Sequence, residues 1–164
     1  MDRRDFLAAL GVGALGASLP RLADAQRGTP GKAPARPAAL PAMTVYKSAS
    51  CGCCHLWVEH ARANGFTVRT IDTEDLAKVK AELGVPGTLQ SCHTVVVANY
   101  LVEGHVPADD VKRMLKEKPA IRGIAVPGMP VGSPGMEQGP VSGYQRYEVV
   151  AFTTTGQRST FARH

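Results

Sequence analysis

Aromatic side chains are scarce, with one Trp, four Tyr and four Phe in 164 residues, and lysines and arginines are not clustered into runs. That combination excludes the stacking platforms and basic stripes of a nucleic-acid-binding protein. The formal charge of +5 therefore reads as a solvated surface. Long apolar runs are lacking too. The longest candidate near the N-terminus, Leu7 to Leu19, is 13 uncharged residues, where a spanning helix needs roughly twenty. No stable membrane span is expected once that segment is removed as a signal. What the sequence does have is concentrated: three of its four cysteines fall within four positions, in Ser50-Cys51-Gly52-Cys53-Cys54-His55, and the fourth is Cys92 in Ser91-Cys92-His93-Thr94.

With 44% hydrophobic residues, 164 residues suffice for one domain with a real core. Residues 1–25 have the layout of an export signal: paired arginines, an apolar Ala/Leu/Gly stretch and an A-x-A site at Ala23-Asp24-Ala25. Arg3-Arg4-Asp5-Phe6-Leu7 resembles the twin-arginine motif, with Asp2 where Ser or Thr is usual. The expected destination is the periplasm, an oxidising compartment where idle thiols pair unless a metal or a redox cycle occupies them. Residues 26–42 carry four prolines and neither an aromatic nor an acidic residue, the composition of an extended linker, so the folded domain is expected over 43–164.

The pattern predicts a strand at Met43–Lys47, then a helix opened by the cysteine cluster and stopped by Gly65. A strand follows at Thr67–Ile71, and a helix over Glu74–Leu83 capped by Asp72 or Thr73 and ended by Gly84. His93–Ala98 and Tyr100–Val102 pair around Asn99, Pro107–Glu117 forms a helix with Val111, Met114 and Leu115 on one face, and Arg146–Thr153 is a last strand. This β-α-β-α-β-β-α order suits an α/β, thioredoxin-like sandwich, with ligands beyond the carboxyl ends of parallel strands, where Cys51 falls.

A helix N-terminus favours an anion, so a cysteine there is more readily a thiolate. Cys51 and Cys54 form a C-x-x-C pair in that place, consistent with thiol-disulfide exchange or with an inert structural disulfide. Cys53 adds a third sulfur that a dithiol enzyme does not need. In the expected fold the loop bearing Cys92 passes close by, and four converging thiolates carry too much charge to coexist without a metal. The three-plus-one spacing fits a single tetrahedral zinc poorly and lacks the usual iron-sulfur spacings. Bridging thiolates that hold two or more Cu(I) ions tolerate it, and soft ligands select Cu(I).

The segment VPGMPVGSPGMEQGP repeats Pro-Gly-Met, at Pro127–Met129 and Pro134–Met136, and excludes regular structure. Met129 and Met136 could offer thioethers, roof the site or simply pack on the domain. His55 and His93 each follow a cysteine and could ligate or support a metal. His60, His105 and His164 are expected at the surface, and Trp57 in the packed face of the first helix.

These residues resemble the periplasmic copper-resistance CopG family. The similarity runs over about 43–154 and is carried by Tyr46-Lys47 before Cys51-Gly52-Cys53-Cys54, by Trp57, Ser91-Cys92-His93-Thr94 and Glu103-Gly104-His105-Val106-Pro107, and by the Pro-Gly-Met repeat. The resemblance implies a thioredoxin-like fold holding a multinuclear copper-thiolate cluster on Cys51, Cys53, Cys54 and Cys92. It also implies work beside other periplasmic copper-handling proteins. The leading expectation is a protein that sequesters or redox-converts copper; a thiol-disulfide oxidoreductase using Cys51 and Cys54 and a zinc-stabilised binding module are the alternatives.

Overall fold

Met43–Lys47 alternates buried and half-buried side chains, the period of two expected of a strand with one face on a core. This is β1 of the computed structural model, which describes residues 39–164; the predicted export signal and most of the predicted linker lie outside the described residues. After β1 come α1 (Gly52–Ala63), β2 (Val68–Asp72), α2 (Leu76–Leu83), β3 (His93–Val97), β4 (Tyr100–Glu103), α3 (Ala108–Glu117), β5 (Gly123–Ala125), β6 (Glu148–Phe152) and β7 (Arg158–Arg163). No helix among the described residues is long and apolar enough to cross a membrane.

The strands form one mixed sheet in the order β2-β1-β3-β4-β5-β6-β7, parallel between β1 and β2 and between β4 and β5. The chain is thus α/β, and its first four strands are compatible with the thioredoxin-like arrangement. On one face, Trp57, Val58 and Ala61 of α1 and Val111 and Met114 of α3 pack on Val45, Val95, Val102 and Ile124. On the other, Leu83 at the end of α2, with Val85 and Leu89, covers Leu101, Ala125 and Phe152. Burying such a side chain contributes about 1.5–3 kcal/mol. That fixes which face of α1 looks inward, its buried Cys54, Trp57, Val58 and Ala61 recurring at helical spacing.

Most expected elements are present, and the differences have local causes. The cap of α2 is Asp75, whose side chain accepts the Lys78 N–H, rather than Asp72 or Thr73. Asp72 is the last residue of β2 and its carboxylate is held by Lys47, while the Thr73 hydroxyl accepts the Asp75 N–H. Two strands were not anticipated. β5 is only three residues long and buried throughout, too short to show a period, and β7, RSTFAR, is a largely exposed edge.

The register carries the functional consequence. β1 and β3 are antiparallel with Lys47 opposite His93, so the turn leaving β1 and the turn entering β3 lie side by side. The cysteine cluster and Cys92 are brought together by that pairing.

Candidate metal centre

At Cys51 the backbone is extended, and helix begins with the next residue. Its side chain makes no capping bond and the first turn holds no acidic residue, so the free N–H groups of α1 leave a positive helix end at the sulfurs. Cys51 and Cys54 are joined by a disulfide, while Cys53 and Cys92 are free. Cys53 Sγ lies 3.6 Å from Cys51 Sγ and 3.7 Å from Cys92 Sγ, and Cys54 Sγ lies 3.5 Å from the Cys92 carbonyl oxygen. All four sulfurs fall within 4.8 Å of one another. Reduction of the disulfide would present four thiols to one small volume.

Burial pushes the Cys92 thiol up to about 12, with the neighbouring Cys53 adding to the effect. Without a cation Cys92 keeps its proton at neutral pH; a soft metal ion would offset the cost of the thiolate. The donor set therefore fits a metal.

His105, expected at the surface, is fully buried and stands beside that sulfur. Its Nδ1 is 2.8 Å from the Pro134 carbonyl oxygen, which can only accept, so Nδ1 carries the proton. Nε2 then turns a lone pair toward Cys92 Sγ at 2.9 Å, able to accept the thiol proton or to face a metal. Burial lowers the pKa of His105, and burial with the adjoining His105 and Lys80 holds His93 well below the ordinary histidine value. Both rings are thereby kept neutral. His93 Nδ1 is 3.5 Å from Cys92 Sγ, and its buried Nε2 has no hydrogen-bond partner among the described residues, which leaves a donor or acceptor that a metal could engage. Cys92, His93 and His105 form a second convergent group of ligand atoms.

The other histidines lie apart. His55 is exposed, its Nε2 3.1 Å from the Ala49 carbonyl oxygen and 3.3 Å from Lys47 Nζ. His60 is half-buried rather than superficial and accepts the Ala108 N–H, and His164 meets the Asp110 carboxylate. Trp57 is buried as expected, donating to the Val106 carbonyl.

The Gly/Pro/Met segment is a strap packed against both cysteine-bearing segments. The Gly128 carbonyl accepts the Ser91 hydroxyl, and Gly135 presses on α1 so closely that a Cβ there would stand 2.8 Å from both Cys53 O and Trp57 N. Each Pro-Gly-Met repeat thus places a left-handed glycine against a cysteine-bearing segment. Met129 is 52% exposed at the first repeat and Met136 is half-buried at the second.

A family model described as "Protein of unknown function, DUF411" matches residues 89–136, which include Cys92, His105 and both Pro-Gly-Met repeats. No curated protein matches the chain. Two solved structures, "Copper resistance protein copG- Form 1" and "Form 2", are each 47% identical, with a TM-score of 0.71, over 76% of this chain and 98% of theirs. The chain belongs to the CopG copper-resistance family. The family resemblance carried by the sequence motifs is thus matched by likeness over almost the whole length of those structures.

Proposed function

We propose that this chain is a periplasmic copper-binding protein in which reduced Cys51, Cys53, Cys54 and Cys92 bridge several Cu(I) ions, and that it sequesters or redox-converts copper under copper stress. The observation that carries the reading is the convergence of four sulfurs within 4.8 Å around a Cys92 thiol that needs a cation to ionise. Thiolates select Cu(I), and His93 and His105 stand ready at the edge of the sulfur set to hold or support a copper ion. Met129 and Met136 would roof the site. The names of the related structures support copper as the metal.

The Cys51–Cys54 pair supplies a balanced redox step. Oxidation of its two thiols to one disulfide releases two electrons and two protons, which converts two Cu(II) to two Cu(I); a thiol reductant of the same compartment must then restore the dithiol. The disulfide also favours the second reading, a thiol-disulfide oxidoreductase.

Anaerobic Cu(I) titration of the reduced domain, with metal counting in each cysteine-to-serine variant, separates the two. The copper reading expects more than one ion per chain and a lower count on loss of Cys53 or Cys92. A count unaffected by both variants, with disulfide exchange intact in metal-free buffer, would leave the oxidoreductase. One zinc and no copper would leave the zinc-stabilised module.

A further inference from the structure

Behind Cys92, on the sheet face covered by α2, lies an ionic cluster that sulfur chemistry does not use. Glu103 at the end of β4 and Thr94 of β3 are fully buried, and Lys80 of α2 is nearly so. The Glu103 carboxylate accepts the Ser91 backbone N–H at 2.7 Å and the Thr94 hydroxyl at 2.6 Å. Lys80 Nζ donates both to the same carboxylate and, at 2.8 Å, to Thr94 Oγ1. One side chain therefore holds the residue before Cys92 and the second residue after it. The next residue, Gly104, adds its N–H to the His93 carbonyl at 3.0 Å.

Stability gives little reason for this arrangement. Desolvating two charges costs about what their attraction returns, and buried pairs replaced by apolar residues of similar volume are often as stable or more so. The surrounding face is already apolar, with Val85, Leu89, Leu101, Ala125 and Phe152. What the pair does supply is direction: a carboxylate with three fixed donors admits one placement of the Ser91–Thr94 backbone.

We propose that Glu103, neutralised by Lys80, is a positioning residue of the sulfur centre, fixing the Ser91–Thr94 backbone so that Cys92 Sγ is held against Cys53 Sγ. The inference deepens the copper reading and rests on it only in taking these sulfurs as the ligand set.

The decisive measurement needs no metal. In a Cys51→Ser/Cys54→Ser background, Cys53 and Cys92 are the remaining thiols, and diamide closes them to a disulfide at a rate set by their relative placement. Adding Lys80→Met/Glu103→Leu should slow that closure on the order of tenfold or more, as misplacement of reacting atoms does. The Cys51–Cys54 pair, measured in a Cys53→Ser/Cys92→Ser background, should close at its parental rate with the same two substitutions. In the four-cysteine protein Cu(I) affinity should fall by about 10–100-fold. An unchanged Cys53–Cys92 rate overturns the proposal, and so does equal slowing of both pairs, which marks general loosening. If the double variant does not unfold cooperatively, Glu103→Gln decides: it keeps an acceptor for Ser91, should slow the Cys53–Cys92 closure less, and overturns the proposal if it does not slow it. A protein that meets the closure predictions but binds no Cu(I) refutes the copper reading alone.

Discussion

The start of α1 contributes three sulfurs and few bonds to hold them, whereas the β3–β4 hairpin contributes one sulfur and a buried network around it. On the helix side the N-cap makes no side-chain bond, the Ser48 and Ser50 hydroxyls bond each other in the open, and His55 is exposed. On the hairpin side Glu103, Thr94, His93 and His105 have no exposed surface; Glu103 accepts from Thr94 and from the Ser91 N–H, and both histidine rings stand against Cys92 Sγ. The difference suits a site whose redox change falls on one side. Under the proposed redox step, the exchange of disulfide for thiols would fall on Cys51 and Cys54, within one turn of helix, and would leave Cys92 as the fixed reference.

The comparison breaks first at Glu103. Replacing it alone by Leu leaves the Lys80 ammonium buried without its carboxylate and should cost about 3–5 kcal/mol, read as a shift of the urea midpoint. Ser50→Ala or His55→Ala, on exposed bonds of the helix side, should stay within about 0.5 kcal/mol. Similar costs on the two sides would end the distinction between a fixed and a free half. Next in size is the strap. Gly135→Ala forces a Cβ against Cys53 O and Trp57 N at a φ of +84° and should cost about 1–3 kcal/mol and weaken metal binding. Gly128→Ala meets nothing within 4 Å, so only its left-handed backbone, φ +71°, should be penalised, at about 1–2 kcal/mol. Equal losses of metal affinity in the two variants would show that contact with α1 is not what holds the strap against the cysteine-bearing segments.

Much of the site was legible in the residues, and one part was legible but unread. The cysteine cluster at a helix start, Gly65 and Gly84 as helix stops, and a hairpin around Asn99 all follow from local chemistry. The same hairpin contains the position of His105. Thr94 pairs with Glu103 and Val95 with Val102, so continuing the register sets Cys92 opposite His105. Counting outward from the turn would have moved that histidine from the surface to the sulfur. The Lys80–Glu103 pair could not be found this way. A lysine within KVKAEL reads as an exposed helical charge, and only the packing of α2 across the sheet brings it to a carboxylate 23 positions away. The same holds for Gly135, whose role depends on where a segment without periodicity crosses α1.

The smallest expected effect concerns how the two halves are tied together. Beyond the cysteines, α1 grips the connection from β4 to α3: Trp57 donates to the Val106 carbonyl at 2.9 Å, and His60 Nε2 accepts the Ala108 N–H at 3.1 Å, at the start of a helix whose preceding Pro107 supplies no side-chain cap. That bond needs the unprotonated ring. Burial lowers the His60 pKa below 6.5, outweighing the nearby Glu137 and Asp109 carboxylates that raise it. In the unfolded chain the ring titrates near 6.5, so its stabilising contribution is complete above that pH and is lost as pH falls toward the lower folded value. His93 and His105 act with the same sign, and Glu103, whose carboxyl is raised by burial, acts against them. His60→Gln keeps an acceptor for Ala108 and removes the titration. In metal-free protein its Tm should therefore fall less steeply than the parent's between about pH 7 and about pH 5. Parallel Tm curves would mean that the link between α1 and α3 is indifferent to His60 protonation, leaving Trp57 as the tie between the helix and the hairpin.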